Sequence, residues 1–136
     1  MKRLADICDI QYGYAFDSKC FTEDSSYPQL VRIRDVKRGY SETYYSGNYP
    51  DEYILSEGDL LIGMDGEFNI ARWKCSGALL NQRVCKLTTK VGTNEEYLRF
   101  AMLKSLKEIE QRTAFVTVKH LSAKELNKLE LDVPEL

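Results

Sequence analysis

The sequence predicts an α+β domain built on a small, mixed and largely antiparallel β-sheet with flanking helices. Three observations carry that expectation. Short apolar segments bounded by turn residues fill the centre of the chain, an uninterrupted amphipathic segment follows them, and strands precede helices rather than alternating with them. At 136 residues one domain is expected over 1–136, large enough to bury roughly two thirds of the surface its unfolded form exposes.

Taken in order, "RLADICDIQYG" reads as a short helical turn running into a strand that Gly13 ends, with Leu4, Ile7 and Cys8 on one face. "AFDSKCFTEDSSYP" is polar and irregular. "QLVRIRDV" sets Leu30, Arg32 and Arg34 against Val31, Ile33 and Asp35, the period of a half-buried strand with one basic face. "KRGYSETYYSGNYPDEY" mixes turn residues with five tyrosines and is expected to be a long excursion. Its tyrosines have two readings, packing onto their own domain or stacking on a ligand.

"SEGDLLIGM" supplies a turn at Glu57-Gly58 and then an apolar strand, and "NIARWKC" and "RVCKLTT" supply two more, separated by "SGALLNQ". Asp65-Gly66 has the chemistry of a tight hairpin turn. Trp73, on an alternating strand, is expected in the core. "TNEEYLRFAMLKSLKEIEQR" is the clearest helix: Leu98, Met102, Leu106 and Ile109 recur at helical spacing, and Thr93 with Glu96 matches a capping box. Ser122 with Glu125 offers a second capping box.

Composition narrows function. Hydrophobic residues make up 43% and charged residues 29%, with a net charge of −2, so indiscriminate coating of nucleic acid is not expected. Charge is nevertheless segregated. Between Phe68 and Asn94 stand Arg72, Lys74, Arg83, Lys86 and Lys90 with no Asp or Glu, and "RIRDVKR" adds Arg32, Arg34, Lys37 and Arg38 against Asp35 alone. Such a distribution suits either a focused polyanion site or an ordinary solvated surface. No leader-like or membrane-length apolar run is present, so a cytoplasmic protein is expected. Cys8, Cys20, Cys75 and Cys85 have no paired spacing and His120 stands far from them, so buried free thiols are expected and no metal site.

Catalytic signatures are missing. There is no nucleophile elbow, no phosphate-binding glycine loop and no Asn- or Asp-Pro-Pro-aromatic tetrapeptide of an adenine methyltransferase. Asp59, Asp65, Glu67 and Lys74 admit a remote reading as a small metal-dependent nuclease, but Asp59 and Asp65 have routine turn explanations. A binding module, with no catalytic residues, remains.

The succession "LADICDIQYGYAFDSKCF", "LVRIRDV", "YILSEGDLLIGMDGEFNIARW", "ALLNQRVCKL", "EYLRFAML" and "VKHLSAKELNKLELDVPEL" resembles a target-recognition domain of the specificity subunit of type I restriction-modification systems. The resemblance spans essentially the whole chain. It implies a non-enzymatic reader of one half of a bipartite double-stranded DNA target, partnered by methyltransferase and restriction subunits and by a second target-recognition domain. No cofactor is implied on this chain; S-adenosylmethionine, ATP and Mg would belong to the partner subunits. An alternative is an interaction module that binds or modulates such a complex.

The family's spacer helix does not follow Val133-Pro134-Glu135-Leu136, so one recognition domain of a half-subunit, excised or naturally shortened, is expected. "TAFVTVKHLS" departs too, with Phe115 bulking a segment that a glycine often precedes. Asn69, Arg72 and Lys74 are expected near base edges, and Lys19, Arg34, Lys37, Arg38 and Lys119 on phosphates. Tyr44 is a stacking candidate. His120 has two readings, a phosphate contact or a structural hydrogen bond. Asn81 and Gln82 suit a structural turn, and Glu67 either accepts from a cytosine amino group or faces water.

Overall fold

The computed structural model describes residues 2–64, 68–112, 126–127 and 129–131. The chain enters as β1 (Lys2–Arg3), makes a single helical turn, α1 (Leu4–Ile7), and continues as β2 (Cys8–Tyr12). Leu4, Ile7 and Cys8 are all buried, as their spacing predicts. Gly13 ends the strand for a steric reason. Its N–H donates to the Val84 carbonyl at 2.9 Å, and a Cβ on it would lie 1.8 Å from the Asn81 carbonyl oxygen, an approach only glycine allows.

A 3-10 turn at Ser18–Cys20 leads to β3 (Phe21–Thr22) and then β4 (Leu30–Val31). The basic strand expected through Arg32 and Arg34 stops at Val31. Ile33–Asp35 is a 3-10 turn instead, because the Asp35 carboxylate accepts from the Arg32 backbone N–H at 2.9 Å and from the Arg38 guanidinium at 2.7 Å. A side chain offering the backbone a local partner displaces the strand ladder. The buried carboxylate thus sits beside its counter-ion rather than on a solvent face.

The tyrosine-rich excursion carries only β5 (Tyr44–Tyr45) and a 3-10 turn at Asp51–Tyr53. Tyr45 packs edge-on to Phe16, with centroids 4.9 Å apart, and is buried, whereas Tyr40 and Tyr49 stay exposed. Tyr45 thus follows the reading in which the tyrosines pack onto their own domain.

The centre is β6 (Leu60–Gly63), β7 (Ile70–Arg72), β8 (Leu79–Leu80) and β9 (Val84–Thr89), followed by α2 (Glu95–Arg112) and β10 (Glu130–Leu131). The principal sheet runs β2-β9-β6-β7 with every pairing antiparallel. Leu60 pairs with Arg72 and Ile62 with Ile70 across the expected hairpin; its Asp65-Gly66 turn and Glu67 lie outside the described residues. Smaller pairs flank this sheet: β3 with β5 and β1 with β10, both antiparallel, and β4 with β8, which is parallel. The fold is the expected mixed, largely antiparallel α+β architecture.

β6 is buried on both faces. Leu60 and Ile62 join Leu98, Met102, Leu106 and Ile109 of α2 in one cluster, while Leu61 points the other way to Trp73, Leu80 and Val84. The four α2 residues picked out by their spacing are thus its inward face. The cap of α2 differs from expectation. Asn94, not Thr93, accepts from the backbone N–H groups of Glu96 and Tyr97, at 3.0 and 3.1 Å, which satisfies two orphan donors of the first turn and leaves Glu96 for another partner. The second capping box, Ser122 with Glu125, lies outside the described residues.

All four cysteines are free. Burial pushes the Cys8 and Cys85 thiols up to about 12, whereas Cys20 and Cys75 are half-buried. A raised thiol carries little thiolate near neutral pH. Iodoacetamide applied to the folded chain at mildly alkaline pH is therefore expected to modify Cys20 and Cys75 while sparing Cys8 and Cys85, with peptide mass mapping as the readout. Prompt modification of Cys85 would contradict the packing.

Candidate nucleic-acid interface

The groove that brings together three of the expected site residues, Lys37, Arg72 and Lys74, is built by β7, the start of α2 and the loop after the Ile33–Asp35 turn. Lys37, Ile70, Ala71, Arg72, Lys74, Glu96 and Arg99 line a volume of about 320 Å³. Gly39 holds two of its walls together. Its φ is +84°, its carbonyl accepts from the Lys74 N–H at 3.1 Å, and the Lys74 stem runs 2.8 Å from where a Cβ would stand. Only glycine meets both demands. Period-two alternation does the rest: Trp73, 1% exposed, turns into the core, which leaves Arg72 and Lys74 on the groove side.

Arg72 is not an open guanidinium. Its Nε and Nη2 donate to Glu96 Oε1 at 3.0 and 2.6 Å, and its Nη1 donates to Glu95 and to the Gly58 carbonyl, the latter at 3.2 Å. The other oxygen of Glu96 receives Arg99, whose Nη2 and Nε lie at 3.2 and 3.3 Å. Hydrogen bonds from Arg72, and then from Arg99, hold the Glu96 carboxyl below the usual carboxylate range, and Glu96 and Glu95 in turn raise Arg72. One carboxylate therefore bridges two arginines on the groove wall. Exposure stays substantial, at 38% for the Arg72 side chain, 51% for Glu96 and 27% for Arg99, and surface ion pairs of this kind are weak and reversible.

The other candidates lie elsewhere. Arg38 is engaged by Asp35, donates from Nε to the Tyr40 carbonyl at 2.9 Å and stacks 4.7 Å over the Tyr40 ring. Arg34 is exposed on the Ile33–Asp35 turn and Lys19 on the Ser18–Cys20 turn. Asn69 is half-buried just before β7, its carbonyl accepting from the Gly63 N–H at 2.9 Å. Tyr44 lines a different cleft, of about 520 Å³, with Tyr27, Tyr49 and Gln29. Lys119 and His120 lie outside the described residues. Asn81 is buried and Gln82 donates its N–H to the Tyr14 carbonyl at 2.9 Å, so this pair serves the turn expected of it.

Two groove residues escaped the sequence reading, Glu96 and Arg99. Glu96 reads in the sequence as a capping-box partner and Arg99 carries no motif; their i, i+3 spacing is the signal that could have paired them. Among the described residues no three His, Cys, Asp or Glu side chains gather as a metal set. Asp59 accepts from the Ser56 N–H at 2.8 Å, a local turn role.

The type I restriction modification DNA specificity domain family matches residues 1–136. The chain belongs to that family. It is 41% identical over 134 residues to the type I restriction enzyme EcoBI specificity subunit of Escherichia coli, a match covering 98% of this chain and 28% of that subunit. Among solved structures, the HsdS subunit from Thermoanaerobacter tengcongensis superposes with a TM-score of 0.70 at 16% identity, over 98% of this chain and 32% of its own. The type I restriction-modification S subunit from M. genitalium gives 0.66 at 14%, over 97% and 33%. The specificity domain thus shares their fold and spans about a third or less of each relative's length.

Proposed function

We propose that this domain reads one half of a bipartite duplex-DNA target for a type I restriction-modification complex and performs no chemistry itself. The observation that carries the reading is the groove on which Lys37, Arg72, Lys74 and Arg99 converge from three parts of the fold, in a chain whose family is defined by DNA specificity. Lysines act on phosphates as point charges and fix register, while a guanidinium fork or an amide reads a base edge. Lys37 and, in place of the base-edge role its sequence suggested, Lys74 therefore take backbone contacts, and Arg72 takes a base edge from the groove wall; Asn69, just before β7, is a base-edge candidate outside that lining. Lys19, Arg34, Arg38 and Tyr44 are peripheral to that groove, with Arg38 chiefly a counter-ion to Asp35; Lys119 and His120, outside the described residues, stay candidates for phosphate contacts.

The partners are duplex DNA, methyltransferase and restriction subunits and a second recognition domain, in the cytoplasm; S-adenosylmethionine, ATP and Mg act on those subunits. Among the described residues no helix is long and apolar enough to cross a membrane.

A domain exchange tests this. The chain replaces the aligned segment of the EcoBI specificity subunit, and methylated sites are mapped across the host genome. One half of the methylated sequence is expected to change while the other half is retained. A sequence unchanged in both halves would remove the half-site assignment.

A further inference from the structure

The groove holds an acid where a reader of polyanions should least tolerate one. Phosphates approach guanidinium groups readily, and a positive groove without acids binds any duplex. Here the two oxygens of Glu96 are divided between Arg72 and Arg99, with Glu95 on the remaining fork of Arg72. α2 does not need Glu96 for its cap, since Asn94 supplies that.

Resting on the DNA-reading function above, we propose that Glu96 is a specificity-determining residue, a carboxylate gate that withholds Arg72 and Arg99 from phosphates. A phosphate reaching toward either arginine meets the carboxylate already seated there, and the neutralised cations release no counterions to drive binding. A phosphate can also occupy the guanidinium fork with two oxygens, but as an anion it is repelled by Glu95 and Glu96, whereas the neutral O6 and N7 of guanine reach Arg72 without that penalty. Discrimination then arises from a repulsive element as well as from contacts, because specificity is a difference between affinities. Lys37 and Lys74 on the same groove still supply the attraction that brings the duplex in.

The test measures the chain's binding to a fluorescent duplex of random sequence across a salt series, together with selection from a randomised duplex library. Glu96→Gln keeps hydrogen-bonding capacity but not charge. It is expected to bind the random duplex about fivefold more tightly, to steepen the logarithmic salt slope by about 0.9, and to broaden the selected motif. Asp51→Asn removes an exposed carboxylate that lines no part of the groove and is expected to behave as wild type. Equal gains in both variants would mean a bulk charge effect and overturn the gate, as would unchanged random-duplex binding by Glu96→Gln. Failure of the wild-type chain to bind any duplex even at low salt overturns the DNA reading and the gate with it.

Discussion

Replacing Lys37 and Lys74 together with alanine is expected to lower affinity for duplex DNA about 30-fold near physiological salt and to reduce the logarithmic salt slope by about 1.8, the share of two phosphate contacts. Both lysines are exposed and line the same groove from different elements. Because phosphate contacts carry no sequence information, the loss should be uniform across duplexes and the selected motif should stay the same. Lys90→Ala provides the comparison, since Lys90 lines a separate cleft with Lys2 and Asp6. Should Lys90 prove as costly as either groove lysine, the groove would have no special claim on the backbone.

Truncation of Trp73 is expected to have the largest effect on stability. Trp73→Ala should cost about 3–5 kcal/mol, a large share of the roughly 5–15 kcal/mol that holds such domains folded. Trp73 packs with Leu61, Leu80 and Val84 beneath the groove, and among the described residues its indole N–H meets no acceptor. Trp73→Phe should therefore cost only about 1–2 kcal/mol, since the cavity from the smaller ring is offset by loss of an unsatisfied donor. Urea unfolding separates the two variants. Equal costs would mean that the indole N–H has a partner that matters.

The two effects are linked through one strand. Residues 72 to 74 alternate between groove and core, so the residue that anchors β7 and those that face a ligand are neighbours in sequence. A core change at Trp73 should disturb binding through the position of Lys74, whereas loss of Lys74 should leave stability nearly unchanged, as most surface substitutions do.

The sequence alone determined much of this protein. The helical spacing of Leu98, Met102, Leu106 and Ile109 named the inward face of α2, the apolar segments of β6 and β7 pair antiparallel as expected, and the order of the segments matched the family. Those features are local or periodic, and burial imposes them on every turn of a helix and every second residue of a strand. Only the tertiary structure decided the groove. Lys37 and Lys74 line one groove from different parts of the fold, where Gly39 lets the Lys74 stem pass, and the basic strand expected through Arg34 gives way to a turn about a buried Asp35. Arg72 finds Glu96 across 24 residues. Pairings over that separation depend on how β7 and α2 pack, and no local pattern of charge specifies which acid a given arginine will meet.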